Sequence, residues 1–119
     1  MVEEKKNLTE MPLVMIESPF AGDIKKNIEF ARACVRDSLE KGEAPFASHL
    51  LYTQEGILRD DVPEERNWGI EAGFAWGKMA SKTVVYTNLG ISEGMKKGIQ
   101  SAIDDGRVVE YRTLDSWTS

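Results

Sequence analysis

Between residues 13 and 111 the chain alternates two hydrophobic patterns, short apolar runs and longer stretches of helical period. The first run, LVMIE at 13–17, is stopped by Ser18-Pro19. A residue before proline is pushed out of helical geometry, so this run reads as a buried strand. After the loop Phe20-Ala21-Gly22-Asp23, Asp23 stands as N-cap of a helix in which Ile24, Ile28, Ala31, Val35 and Leu39 recur at spacings of three and four. Gly42 closes it. Residues 44–48 make a second short strand, and 49–62, HLLYTQEGILRDDV, reads as mostly irregular unless residues 50–52 form one helical turn. Connections of that length in compact domains are often lids or binding loops. Pro63 opens the next helix, with Asp61 as its cap and Glu64 and Glu65 at the positive end of its dipole, and it runs to residue 80. KTVVYT at 82–87 is a third strand, Asn88 to Ile91 a tight loop, and Ser92 the cap of a helix over 93–105 closed by Gly106. A last strand follows at 108–111.

Strands and helices in strict alternation call for an α/β domain with a mainly parallel sheet of four or five strands and helices on both faces. Right-handed crossovers leave few topologies, and the strand order expected is 2-1-3-4. The domain spans residues 12–114, after a polar, flexible arm at 1–11 and before a tail at 115–119. Trp117 in that tail either docks on the body or on a second subunit, or lies in a disordered end.

Composition narrows the classes. With 119 residues the chain suits one domain, which buries roughly two-thirds of its unfolded surface and needs no staple. Cys34 stands alone, which excludes an intramolecular disulfide and a cysteine-rich zinc site and suits a reducing, cytoplasmic setting. A net charge of −5 repels polyanions, so nucleic acid is not the expected partner. No run approaches the ~20 apolar residues of a membrane span, and the first ten residues lack an apolar secretion segment. The chain reads as soluble, with no membrane partner.

In an open parallel sheet, ligands bind at the carboxyl ends of the strands, near the reversal of strand order. The loops there offer Ser18, Phe20 and Asp23, then Ser48, His49 and Tyr52, then Thr87, Asn88, Ser92 and Glu93. Gly90, Gly94 and Gly98 leave the entry to the last helix unencumbered, either for close approach of a phosphate or ribose or simply for packing. Lys25-Lys26 and Lys96-Lys97 lie near helix starts, where an anionic ligand would offset their mismatch with the dipole and where solvent would otherwise take them. His49, the sole histidine, suits hydrogen bonding or base chemistry rather than a metal site. Asp60, Asp61, Glu64 and Glu65 lack a calcium-loop pattern and read as solvent charges. Neither a metal nor a cofactor is expected. In the helix from Pro63, Gly69, Gly73 and Gly77 form a bare stripe beside Trp68, where backbones can meet. The stripe packs either on the protein's own sheet or on a second subunit of a homo-oligomer.

The strings ESPFAGDIKKNIEFAR, APFASHLLYTQ and VVYTNLGISEGMKKGIQSAIDDG resemble a set of small, mostly phage-encoded and bacterial proteins of unknown function. Their Rossmann-like domain is similar to that of nucleoside 2-deoxyribosyltransferases and deoxynucleotide N-hydrolases. In that wider superfamily a glutamate beyond the turn after the third strand serves as nucleophile on the sugar. Matching Ser92-Glu93-Gly94 to that turn puts Gly98 where the glutamate is expected. Glu93 sits in the first helical turn instead, and Asn88 stands where an acidic residue would orient a nucleoside.

The leading expectation is therefore a nucleotide-derived small molecule, bound without turnover by Ser18, Phe20, Asp23, His49, Asn88, Ser92 and Glu93 with Lys96 or Lys25 on an anionic group. In a phage this would sequester a nucleotide signal in the host cytoplasm. Two alternatives stay open. One is a deoxyribosyltransferase or N-glycoside hydrolase using Glu93, with Asp23 or His49 assisting; the other is a protein-interaction module built on the glycine stripe and Trp117.

Overall fold

The structure is a computed structural model that describes residues 10–115 and 117. Its elements are β1 (Leu13–Glu17), α1 (Ile24–Glu40), β2 (Ala44–Phe46), α2 (Ser48–Tyr52), α3 (Pro63–Gly77), β3 (Lys82–Tyr86), α4 (Glu93–Asp104) and β4 (Val108–Arg112). The four strands form one sheet in the order β2-β1-β3-β4, and every neighbouring pair is parallel. This is the α/β architecture and strand order expected from the alternation. The strand order reverses between β1 and β3, where Glu17 lies opposite Val85.

Strand alternation sorts the side chains onto two faces. Val14 and Ile16 of β1 and Val84 and Tyr86 of β3 point to the face covered by α1 and join Phe30, Cys34, Ala47 and Leu114 in one buried cluster. At roughly 25 cal/mol per Å² of apolar area, such a cluster is the main stabiliser of the domain. Trp117 closes it by packing edge-on against Phe30, centroids 5.1 Å apart, so this part of the tail docks on the body. The first nine residues of the expected arm lie outside the described residues. On the other face, Met15, Thr83 and Val85 are buried in the sheet and Met95, Gly98 and Ala102 form the buried side of α4.

Local chemistry accounts for the helix ends. The Asp23 side chain accepts from the Lys26 amide and that of Ser92 from the Met95 amide, capping α1 and α4. Gly42, at φ +83°, takes the left-handed turn that ends α1. Asp61 does not cap α3, contrary to expectation: Val62 holds that position, and Asp61 pairs with Arg59 at 2.9 Å. Strand β2 stops at Phe46 and α3 at Gly77, both short of their expected ends. The second strand gives way early because residues 48–52 wind into α2, whose carbonyl at Tyr52 then accepts from the Leu58 amide.

The glycine stripe of α3 is filled from within this chain. A Cβ at Gly73 would fall 2.9 Å from Ser48 Oγ, one at Gly69 3.3 Å from Leu58 Cδ1, and one at Gly77 3.1 Å from the Arg107 guanidinium. The stripe thus seats α2, its following loop and Arg107, not the sheet. Trp68 lies off this contact, 67% exposed.

Candidate functional site

The carboxyl ends of β1 and β2, the start of α4 and the flank of α3 enclose a cleft of about 410 Å³. It opens at the reversal of strand order, the place where ligands enter sheets of this kind. Its lining brings together Ser18, Phe20, His49, Ser92 and Glu93 from the sequence-predicted set. It also includes Tyr52 from the loop candidates and Lys97 from the Lys96-Lys97 pair, together with Glu17, Asp60 and Arg66, which belong to none of the expected binding groups.

One wall is aromatic. Phe20 and His49 meet edge to face with centroids 5.8 Å apart, and His49 Nε2 shares a hydrogen bond of 3.0 Å with Ser18 Oγ. Thr53 donates to the His49 carbonyl, fixing the first turn of α2 from behind. Burial holds the imidazole down at about 4, so it is neutral at physiological pH. Tyr52 is positioned by Trp76, whose indole N–H donates to its hydroxyl at 2.9 Å, and by the edge of Phe46. These contacts lock the rings before any ligand arrives, which lowers the ordering cost of binding.

The floor of the cleft holds the residue that sequence reasoning missed. Glu17, last in β1, follows Met15 on the α4 face of the sheet, and its carboxyl occupies the space where a side chain at position 98 would lie. A Cβ built at Gly98 falls within that carboxyl; even the more distant oxygen is 2.7 Å away. Glycine at 98 is therefore a steric requirement of Glu17. Among the described residues no hydrogen bond or ion pair reaches this carboxyl, and burial pushes it up to about 8, tempered by the positive charge of Arg107. Arg107 is itself engaged, with Thr83 Oγ1 at 3.0 Å and the Gly77 carbonyl at 2.7 Å. A signal existed in the sequence: one acidic residue ends an otherwise apolar strand at the binding edge of a parallel sheet.

Other expected residues stand elsewhere. Asn88 lies outside the cleft, its amide spent on the chain end: Nδ2 donates to the Leu114 and Trp117 carbonyls and Oδ1 accepts from the Leu114 amide at 2.8 Å. Asp23 lines a separate, shallower depression with Lys26 and Asn88. Glu93 is at the mouth of the cleft, its side chain 87% exposed and paired with Lys96 at 3.0 Å, while Lys97 rather than Lys96 lines the cavity. Lys25 is exposed and belongs to neither depression. Among the described residues no group of three or more His, Cys, Asp or Glu side chains could hold a metal ion, and no helix is long and apolar enough to cross a membrane.

Residues 12–112 match the model of DUF7768, a domain of unknown function. The chain belongs to this family. No curated protein matches it. Among solved structures, this DUF7768 chain is similar to the 2-deoxyribosyltransferase of the psychrotolerant bacterium Bacillus psychrosaccharolyticus, described as a biocatalyst for nucleoside synthesis. The TM-score is 0.61 at 16% identity, over 90% of this chain and 76% of that one. At such identity the likeness establishes a shared Rossmann-like fold, and it agrees with the expected resemblance at that level.

Proposed function

We propose that this protein binds a nucleoside or nucleotide-derived small molecule in the cleft at the carboxyl edge of its sheet and holds it intact. The observation that carries this reading is the preassembled wall of Phe20, His49 and Tyr52 around a cavity of about 410 Å³, a size and shape suited to a flat heterocycle with an attached sugar. The fold shared with a 2-deoxyribosyltransferase supports the same ligand class. Arg66 and Lys97 on the lining would meet a phosphate in a protein whose net charge is otherwise −5.

Two features favour holding over turnover. A carboxylate that attacks a sugar carbon must be ionised, and Glu17, pushed up to about 8, carries its proton at neutral pH. Glu93, the acid in the first turn of α4, is solvated and salt-bridged at the mouth rather than held against the cavity floor.

The test is mass spectrometry of small molecules retained from a nucleotide-rich extract, before and after heat release. An intact nucleoside or nucleotide should appear on heating, and Phe20→Ala should weaken its retention by about 1–3 kcal/mol, the usual worth of a base stacked on an aromatic ring. Recovery of no such compound would overturn the reading.

A further inference from the structure

We propose that Glu17 is the residue that reads the ligand's base, its carboxyl giving one hydrogen bond and accepting another from a heterocycle edge on which an acceptor and a donor stand side by side. The proposal rests on the nucleoside reading above and names the recognition group of that same cleft. Its foundation is geometric. The carboxyl lies on the cavity floor, in the space that the missing Cβ of Gly98 leaves under α4, and no described protein group satisfies it. Glu17 is half-buried and its carboxyl is open on the side of the cleft, so a ligand that displaces water there must supply the hydrogen bonds the water gave.

The neighbouring charges point the same way. Arg107, from the turn after α4, is the cation near Glu17, and it is committed to Thr83, Gly77 and Asp105. The remaining titratable groups around the cleft are His49 and Tyr52 on α2, Asp60 and Arg66 from the loop and helix beside it, and Glu93 and Lys97 on α4. His49 is held neutral and bonded to Ser18, so it supplies no ion pair. Glu17 therefore enters the cleft as a neutral acid at physiological pH, with an O–H to give and a C=O to receive. Those two groups match the amidine edge of adenine or cytosine and the lactam edge of guanine or thymine, whereas an ionised carboxylate could only accept.

Isothermal titration with the four common deoxynucleosides and their monophosphates, on wild type, Glu17→Gln and Glu17→Ala, decides the matter. Glu17→Ala should weaken the best ligand by about tenfold or more. Glu17→Gln should stay within about threefold of wild type near pH 6, because an amide places a donor and an acceptor in the same positions. Raising the pH to about 9 should weaken wild type by about tenfold as Glu17 loses its proton, and should leave Glu17→Gln unchanged. If Glu17→Ala fails to fold, the pH response of Glu17→Gln still decides. Unaltered binding by Glu17→Ala, or a parallel pH response in Glu17→Gln, overturns the role of Glu17 while the nucleoside reading stands. Free base released by wild type but not by Glu17→Gln overturns it too, in favour of Glu17 as an acid that protonates a leaving base. Binding of no panel member by wild type overturns the nucleoside reading, and this proposal falls with it.

Discussion

Two glutamates on opposite faces of one sheet show how partners, not residue type, decide what a carboxyl does. Glu43, just before β2 and 5% exposed, lies under α1. It accepts from both Arg112 amino nitrogens, at 2.9 and 2.5 Å, from Ser38 Oγ at 2.6 Å, and lies 3.1 Å from Lys82 Nζ. Burial alone would raise it, yet the hydrogen bonds from Arg112, Ser38 and Lys82 outweigh burial and hold it down at about 2. Glu17, half-buried and packed against α4, has no such partners among the described residues, and its desolvation there pushes it up to about 8. The parallel register explains why the first network closes: Lys82, Tyr86, Glu110 and Arg112 all project to the α1 face, with Tyr86 directly opposite Arg112. Tyr86 then donates to Asp37 at 2.8 Å and carries the network onto α1. On the α1 face a polar network beside the apolar core is complete within the chain; on the α4 face, no side chain among the described residues pairs with the Glu17 carboxyl.

The largest expected effect comes from breaking the complete side. Arg112→Ala leaves the buried Glu43 with Lys82 and Ser38 as its remaining partners and should cost up to about 3–5 kcal/mol in urea unfolding. A loss below about 1 kcal/mol would mean that the network is solvated and the contrast between the faces false.

A smaller effect should follow from crowding the open side. Gly98→Ala forces the Glu17 carboxyl to move and should cost about 1–3 kcal/mol. In a Glu17→Ala background the same change should be neutral or stabilising by up to about 1 kcal/mol, since alanine is the better helix former. Equal costs in the two backgrounds would show that Glu17 does not occupy the place of a side chain at 98.

The subtlest test is the pH dependence of thermal unfolding. Glu17 has a folded-state value above its ordinary 4.5, so its contribution is full below that pH and is lost as pH rises through about 8. His49 is depressed from 6.5 to about 4, so its contribution is present above 6.5 and is lost as pH falls through about 4. Between the two ordinary values the slopes oppose each other. Stability from this pair should therefore be flat near pH 5–6, about where the slopes cancel, and decline on both sides. Glu17→Gln should abolish the alkaline decline, worth a few degrees in Tm, and keep the acid one. Parallel curves for the two proteins would remove the contrast between Glu17 and Glu43.

Much of this was legible from residues alone, for definable reasons. Apolar periods of two and 3.6 placed strands and helices, and alternation dictated a parallel sheet whose binding edge could be located in advance. Ser18, Phe20, His49, Ser92 and Glu93 converge on the cleft because each directly follows a strand or opens a helix at that edge. Asn88 had the same local credentials, but its side chain answers to Leu114 and Trp117, 26 and 29 residues away, a pairing no local pattern announces. The glycines of α3 were legible as a close contact, while the partner, Ser48 and Arg107, depended on how α2 and the turn before β4 fold back.

The sequence by itself thus determined the order and direction of the elements, because hydrophobic period, proline, glycine and capping residues act within a few positions of themselves. Only the tertiary structure decided the chemistry of the two glutamates. Glu17 reads in the sequence as the polar end of a strand and Gly98 as a helix weakness; 81 positions apart by their numbers, they form one feature when packed. The ionisation of a carboxyl depends on what surrounds it within a few ångströms, and that neighbourhood is assembled from distant parts of the chain.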